Sequence, residues 1–587
     1  MSSDAALVYA ELQIAANWPN RPALRYCVRQ AQPAAGDGDM RGLMMDRPLL
    51  VSALLDFGAE INASAAVVSR RVEGDTHRYT YREAAGRAAR LAHALRALGI
   101  APGDRVATMA WNGYRHLEVY YAASGIGAVC HTINPRLFPE QLAYIVNHAE
   151  DKVLFIDATF LPLVESLAAR MPTLKHVVVL ADAADPPETT LPNALVYEAL
   201  IEGRPDAIEW PELDENAAAS LCYTSGTTGN PKGVLYSHRS TVLHALSVAL
   251  SAGDLRLTRN DRVLPVVPLF HVNAWGLPYI APITGATLVF PGPKLDGASL
   301  FDLMESEGVT ASWGVPTVWL GLLAEMRRRG AKPAALASIL VGGSAPPRAM
   351  IEEFEADWRI DVVHGWGMTE MSPVGALGIL PADQAQAPPA ERIDRKLKQG
   401  RRMFQVDMKI VDAAGKKLPH DGETRGELLV RGPMVTAGYY EDAAATAAAF
   451  DKDGWFRTGD IATIDPDGFV QIVDRIKDII KSGGEWISSI DLENAAMSHP
   501  AVAEAAVIGL PHPKWGERPL LVLVLKEKAD AGKDDILAFL ATKVAKWWLP
   551  DDVVFVDALP HSATGKLQKS RLREQFKDHV LPTAGTN

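Results

Sequence analysis

Cysteine is scarce. The 587-residue chain has three, Cys27, Cys130 and Cys222, scattered and without metal-ligand spacing. They cannot build a disulfide framework, and their scarcity fits a reducing compartment, so the expected location is cytoplasmic. Long apolar runs are missing too, and no stretch reaches the roughly 20 residues that a membrane-spanning helix needs. The opening MSSDAALVYAELQIAANW carries an acid early and has no basic segment leading into an apolar one, so it does not read as a secretory signal. A basic excess is absent: 59 Lys+Arg stand against 71 Asp+Glu, a net charge of −12. That balance argues against nucleic acid as a partner while leaving room for local basic pockets. Internal repeats and heptad runs are also lacking, which excludes solenoids and coiled coils.

What is present is an ordinary globular composition, 48% hydrophobic and 22% charged, on a chain too long for one core. From about residue 80, helical and strand-like stretches alternate. YREAAGRAARLAHALRALG reads as an amphipathic helix ended by Gly99, VATMAW (106–111) as a buried strand, EQLAYIVNHAE as a helix and KVLFID (152–157) as a strand. Alternation of this kind predicts an α/β fold with mainly parallel sheets. Residues 183–215, rich in Pro and acid, read as a surface excursion. Near residue 474 the pattern changes to a short α+β run: helix DLENAAMSHP, strands VAEAAVIGL and LLVLVLK, and helix KDDILAFLATKVA. The expected organisation is a peripheral extension at 1–45 (Met40 offers a second start), a large multi-subdomain N-terminal domain at 46–475 and a small mobile α+β C-terminal domain at 476–587.

The strongest local signal is Tyr223-Thr224-Ser225-Gly226-Thr227-Thr228-Gly229-Asn230-Pro231-Lys232-Gly233. Its glycines allow a tight backbone that presents N–H groups to an anion, hydroxyls add donors, and Lys232 supplies charge. The spacing is not that of the Walker loop, because Lys232 lies three residues beyond Gly229 and is followed by Gly, so a P-loop NTPase is excluded. A bare Ser/Thr/Gly linker is the bland alternative. Eleven such residues after the apolar SLCY argue instead for phosphate binding.

This segment resembles the phosphate loop of the adenylate-forming superfamily, which includes acyl-CoA synthetases, adenylation domains and luciferases. The resemblance runs in order from about residue 50 to 575 and is nearest to bacterial medium-chain fatty acid–CoA ligases. It implies ATP binding by Thr224, Ser225, Gly226, Thr227, Thr228, Gly229 and Lys232. His364-Gly365-Trp366-Gly367-Met368-Thr369-Glu370 resembles the family's Y-G-x-T-E motif, with tryptophan in place of the usual tyrosine. Small residues there let the backbone approach a flat base, and Glu370, with Thr224, would hold Mg²⁺ on the phosphates. Gly342-Gly343-Ser344-Ala345-Pro346 resembles the companion adenine loop, with Gly343, Ser344 and Ala345 facing the nucleotide. Trp455-Phe456-Arg457-Thr458-Gly459-Asp460 matches the segment whose aspartate accepts both ribose hydroxyls, a role for which a carboxylate is suited. Arg475 is the expected second ribose contact.

Lys566, in Ser562-Ala563-Thr564-Gly565-Lys566, matches the family's C-terminal lysine. A lone lysine near a C-terminus is ordinarily a solvated charge, so its role rests on the motif. The chemistry requires such a group, since a carboxylate attacking an α-phosphate brings two anions together. Lys477 sits at the family's hinge position, and Lys481, Ser482, Gly483, Gly484, Glu485 and Trp486 would line the coenzyme A path. His271, in Pro268-Leu269-Phe270-His271-Val272-Asn273-Ala274-Trp275, falls beside the family's acyl site, with Val272, Trp275 and Val315 as further wall. His271 alone would read as a core histidine, and Trp313 and Trp319 could equally be core.

No acid lies between Pro268 and Pro278, so a substrate α-ammonium would be unpaired there. The expected catalytic set is therefore Lys566, Glu370, Thr369 and His271. The expected reaction activates an apolar carboxylic acid with ATP and Mg²⁺, then transfers it to coenzyme A. Medium-chain fatty acids are preferred; short thioether acids such as methylthiopropionate, and aryl or branched acids, stay open. A homodimer is an open alternative for the assembly. Carrier-protein loading is disfavoured by the absence of G-x-D-S near the C-terminus, and an idle scaffold by the joint retention of Lys232, Glu370, Asp460 and Lys566.

Lys566→Ala is expected to abolish most adenylation, read as pyrophosphate release, while sparing thioester formation from supplied acyl-adenylate. Equal loss in both half-reactions would contradict the assignment.

Overall fold

The structure, a computed structural model, describes residues 42–224, 230–483, 485–561 and 567–585. Residues 42–47 form an exposed lead-in without helix or strand.

From Leu49 onward the chain builds three sheets. In the first, the strands Arg105–Met109, Val129–Thr132, Asp151–Ile156, His176–Val179 and Ala218–Tyr223 lie parallel. The strand Gly233–Ser237 then closes the edge antiparallel to Ala218–Tyr223. Helices cover this sheet, as parallel strands buried on both faces require. The helix Tyr81–Ala97 shows how such coverage is encoded. Thr80 and Glu83 form a capping box at its start, and Ala84, Ala88, Leu91, Ala92 and Leu95 form its buried stripe.

The second sheet has two characters. Its parallel half contains Val67–Ser69, Thr287–Phe290, Arg262–Pro265, Ala311–Gly314, Ser338–Val341 and Asp361–Gly367. Asp361–Gly367 then pairs antiparallel with Val374–Leu377, and every following pair through Phe469–Arg475 is antiparallel. The α/β class is as expected, but the antiparallel half was not legible, because its turn-rich segments carry no helical crossover to announce direction. Trp313 and Trp319 are both fully buried, and Trp319 packs over Gly314, where a Cβ would come within 2.9 Å of its ring. Trp319 is therefore core.

The third sheet lies beyond Lys477. Val502–His512 and Gly516–Leu525 form its long hairpin, with Ile480–Ser482 and Asp552–Phe555 alongside. Asp474 joins this part to the preceding one: its buried carboxylate accepts from the Ser489 N–H (2.7 Å) and hydroxyl (2.6 Å). The Lys569 ammonium reaches the Ser489 hydroxyl (2.5 Å) and Glu493 (2.7 Å). Arg573 pairs with Asp478 at 2.6 Å.

Two expectations change. Residues 183–215 are not wholly a surface excursion, because Tyr197–Ile201 is a short helix whose two end residues are buried. The Tyr197 hydroxyl donates to Glu118 at 2.5 Å, within an Arg87 cluster. One apolar turn between Pro-rich flanks gives too short a pattern to detect. The helix read through Ala545 ends at Leu540, after which the chain turns toward Lys546–Trp548. Among the described residues, no helix is long and apolar enough to cross a membrane. Cys222 is buried, which pushes its thiol up to about 12 and leaves it unsuited to nucleophilic work.

Asp157 offers a pH test of this core. It is buried, accepts from the Trp111 N–H at 2.6 Å, and burial pushes its carboxyl from 3.8 to about 7. A carboxyl raised on folding contributes stability that is full below the unfolded value and lost as pH rises through the folded one. The melting temperature should therefore fall less steeply from pH 3.8 to about 7 in Asp157→Asn than in wild type. Parallel slopes would exclude Asp157 as the source.

Candidate active site

The residues expected to bind nucleotide converge where the parallel half of the second sheet meets the antiparallel half. Strand Asp361–Gly367 is that seam, with Ser338–Val341 parallel on one side and Val374–Leu377 antiparallel on the other. Ligands of α/β sheets bind beyond the carboxyl ends of such strands, at a change in strand order.

Thr224 and Lys232 bracket the glycine loop. The Thr224 N–H donates to the Lys232 carbonyl (2.8 Å), and the Lys232 N–H donates to Thr224 Oγ1 (3.3 Å). Thr224 and Lys232 are thus held together at the ends of two antiparallel strands. Ser225, Gly226, Thr227, Thr228 and Gly229, together with Gly484 and Lys566, lie outside the described residues. The Lys232 ammonium sits 4.8 Å from the centre of the Tyr439 ring, a cation–π contact that aims the charge. The hydroxyl of the same tyrosine donates to Glu370 Oε1 at 2.7 Å. Burial, reinforced by Glu370, pushes the Tyr439 phenol up, so it stays a donor.

Glu370 is buried, and no cation pairs with it among the described residues. Its backbone is held as well: the Thr436 N–H donates to its carbonyl at 2.8 Å, and the Tyr236 hydroxyl to the Thr369 carbonyl at 2.5 Å. A buried carboxylate with no counter-charge fits a Mg²⁺ whose remaining ligands are phosphate and water. The described residues hold no group of three His, Cys, Asp or Glu that could build an all-protein metal site.

Trp366 and Asp460, expected near adenine and ribose, are brought together. The indole N–H donates to Asp460 Oδ2 at 3.2 Å, and Arg475 Nε reaches Oδ1 at 2.9 Å. Gly365 and Gly367 are tight: a Cβ at Gly367 would lie 2.1 Å from the Pro373 carbonyl oxygen. Met368 is half-buried and packs against the main core, leading into Thr369. His364 is placed differently from the expected nucleotide contact. Its ring is buried, Nδ1 lies 3.1 Å from the Leu397 carbonyl, and burial pulls its pKa down to about 4. Its imidazole serves the sheet, since alternate strand residues face opposite sides. Gly343 (φ 83°), exposed Ser344 and half-buried Ala345 follow the neighbouring strand.

The segment at His271 has an unusual backbone. Val272, Asn273, Ala274 and Trp275 all have positive φ, at 40°, 52°, 47° and 55°, and Gly276 follows at 88°. Left-handed non-glycine residues cost about 1–2 kcal/mol each, so surrounding contacts must hold this turn. His271 is half-buried, and its carbonyl accepts from the Ala274 N–H at 3.2 Å. The Trp275 ring covers Gly342, where a Cβ would come within 2.9 Å of it. Val315 caps the helix Pro316–Arg329 and is half-buried.

The expected coenzyme A segment lies in the third sheet. Gly483, at φ 61°, donates its N–H to the Trp515 carbonyl at 2.8 Å. Ser482 is buried and accepts from Arg518 at 3.2 Å, so its hydroxyl faces the domain interior. Lys481, Glu485, Trp486 and Lys477 are exposed. Sequence reasoning missed Tyr439, Tyr236 and Asn273; a tyrosine far along the chain gives no local signal of such a partner.

The chain is similar to proteins of known activity. The profile of AMP-binding enzymes matches residues 59–440, and that of the AMP-binding enzyme C-terminal domain matches 491–566. A 3-methylmercaptopropionyl-CoA ligase of Ruegeria lacuscaerulensis is 52% identical over 540 residues, covering 92% of this chain and 99% of that protein. A medium-chain-fatty-acid–CoA ligase of Ectopseudomonas oleovorans is 48% identical, covering 93% and 100%. Among solved structures, an anthranilate CoA ligase in complex with anthranoyl-AMP superposes with a TM-score of 0.80 at 25% identity, covering 90% of this chain and 98% of that one.

Trp366→Phe keeps the ring and removes the N–H that reaches Asp460. One hydrogen bond is worth about 1 kcal/mol, so ATP affinity measured by titration should fall about fivefold. An unchanged Kd would remove this contact from the nucleotide site.

Proposed function

The chain belongs to the AMP-binding enzyme family and is an ATP-dependent acid–CoA ligase, and we propose that its acid is a linear, apolar monocarboxylic acid of medium chain length. The observation that carries the acid assignment is the wall from Pro268 to Pro278. It contains no carboxylate and is built on buried Val272, Ala274 and Trp275. An α-ammonium buried there would go unpaired, whereas an alkyl chain gains from burial.

In the first half-reaction a carboxylate oxygen bonds to the α-phosphorus of ATP, and the bond to the β-phosphate oxygen breaks, releasing pyrophosphate. Lys232 and the loop from Thr224 cradle the departing phosphates. Asp460 and Arg475 hold the ribose, with Trp366 and residues 343–345 beside the base. Lys566 would touch both reacting anions and offset their repulsion. Thr224 and Glu370 would hold Mg²⁺, which neutralises phosphate charge when bound. Turning about Lys477, the C-terminal domain would then bring residues 481–486 to the cleft. There the coenzyme A sulfur bonds to the acyl carbon and AMP leaves with its phosphate oxygen. Scarce, buried cysteines support a reducing cytoplasm as its setting.

A second acid is favoured by the Ruegeria relatives, at 52% and 49% identity: 3-methylmercaptopropionate. It has the shape of pentanoate with sulfur for one methylene, a difference an apolar pocket discriminates only weakly.

Linear acids from butyrate to dodecanoate, with 3-methylmercaptopropionate, benzoate and phenylalanine, should be offered with ATP and coenzyme A. Formation of AMP and pyrophosphate is expected, with the highest kcat/KM on a medium linear acid and none on phenylalanine. A maximum on benzoate would overturn the acid assignment, and ADP as product would overturn the adenylation mechanism.

A further inference from the structure

Asn273 lies inside the left-handed turn and has no part in the chemistry above, yet its buried amide is fully engaged. Nδ2 donates to Ser220 Oγ at 3.0 Å and approaches the Tyr279 hydroxyl at 3.4 Å. Oδ1 accepts from the Cys222 thiol at 3.5 Å and lies 3.4 Å from the Tyr120 hydroxyl oxygen. Two of these partners, Ser220 and Cys222, stand on the strand Ala218–Tyr223, which runs straight into Thr224 and the phosphate loop. A third, Tyr120, also donates to the Leu269 carbonyl at 2.5 Å, so the segment is tied at both ends. Two residues past Asn273, Trp275 covers Gly342 at the start of the adenine-side loop.

We propose that Asn273 is a positioning residue: its bond to Ser220 locks the left-handed turn that carries Trp275 in fixed register with the strand that opens the phosphate loop. This rests on reading residues 271–275 as acyl wall. The physical need is clear. In-line attack requires the carboxylate oxygen at near-attack distance from the α-phosphorus, and misplacement by about 1 Å costs rate steeply. Four positive-φ residues have better local conformations available, so without an anchor the turn relaxes and Trp275 moves. Asparagine suits the position twice, since it tolerates positive φ better than most residues and its amide can donate and accept together.

Ser220→Ala and Asn273→Gly, each in the full-length enzyme, separate anchoring from backbone tolerance. Glycine adopts the left-handed conformation freely but supplies no amide. If anchoring is the role, both variants raise KM for the acid that wild type uses best by about fivefold to tenfold, the worth of one hydrogen bond. Both also flatten the chain-length profile, while KM for ATP stays within about twofold. Wild-type acid KM and chain-length profile in Ser220→Ala would overturn the proposal. So would a lowered kcat that tracks lost thermal stability with KM unchanged. Should Asn273→Gly fail to fold, Ser220→Ala decides alone, because it leaves every residue of the turn in place. A wild-type enzyme that prefers an acid outside the linear apolar series would instead sink the substrate reading, and the variants would still be compared on that acid.

Discussion

Two anions must be pressed together in this cleft, a carboxylate and a triphosphate, on a chain whose own net charge is −12. Global electrostatics work against the encounter, so attraction has to be local and aimed. The structure places each charge by fastening it to a rigid neighbour. Lys232 rests on the Tyr439 ring, Arg475 on Asp460, and Tyr439 in turn on Glu370. None of these groups is left to find its geometry on binding, which lowers the entropy lost when the anions arrive.

The scaffold achieves this by ending strands at one place. The segment expected to bind phosphate starts and ends on two antiparallel strands, and the segments expected beside adenine follow the neighbouring parallel strands Ser338–Val341 and Asp361–Gly367. At the seam the sheet turns antiparallel, and its far strands return Asp460 and Arg475, cross-strand partners, to the same cleft. Glycines at 342 and 367 are needed because the Trp275 ring and the Pro373 backbone leave no room for a Cβ.

Rigidity on this side contrasts with the junction to the C-terminal sheet. Across it run the polar contacts of Asp474 with Ser489 and of the Ser488 hydroxyl with the Val473 carbonyl, beside a small apolar cluster of Ile461, Val473 and Ile479. Polar contacts of this type can be exchanged for others, whereas an interdigitated apolar core has no equally good second arrangement.

The amino-acid sequence alone determined the chemistry and the order of its parts. The glycine-hydroxyl-lysine run reads as a phosphate loop from its residue types, whereas the roles expected of Thr369-Glu370 and Asp460 come from the resemblance to the adenylate-forming superfamily. It also determined the α/β class, through the alternation of helical and strand periods. Only the tertiary structure decided which residues meet. Trp366 and Asp460 are 94 positions apart, Tyr439 and Glu370 69, Asn273 and Ser220 53. It likewise turned His364 toward Leu397 and made Trp319 core. The reason is physical: a hydrogen bond across such a separation is set by strand register and loop closure, quantities that belong to the whole packed chain and leave no trace in the residues on either side of the partner.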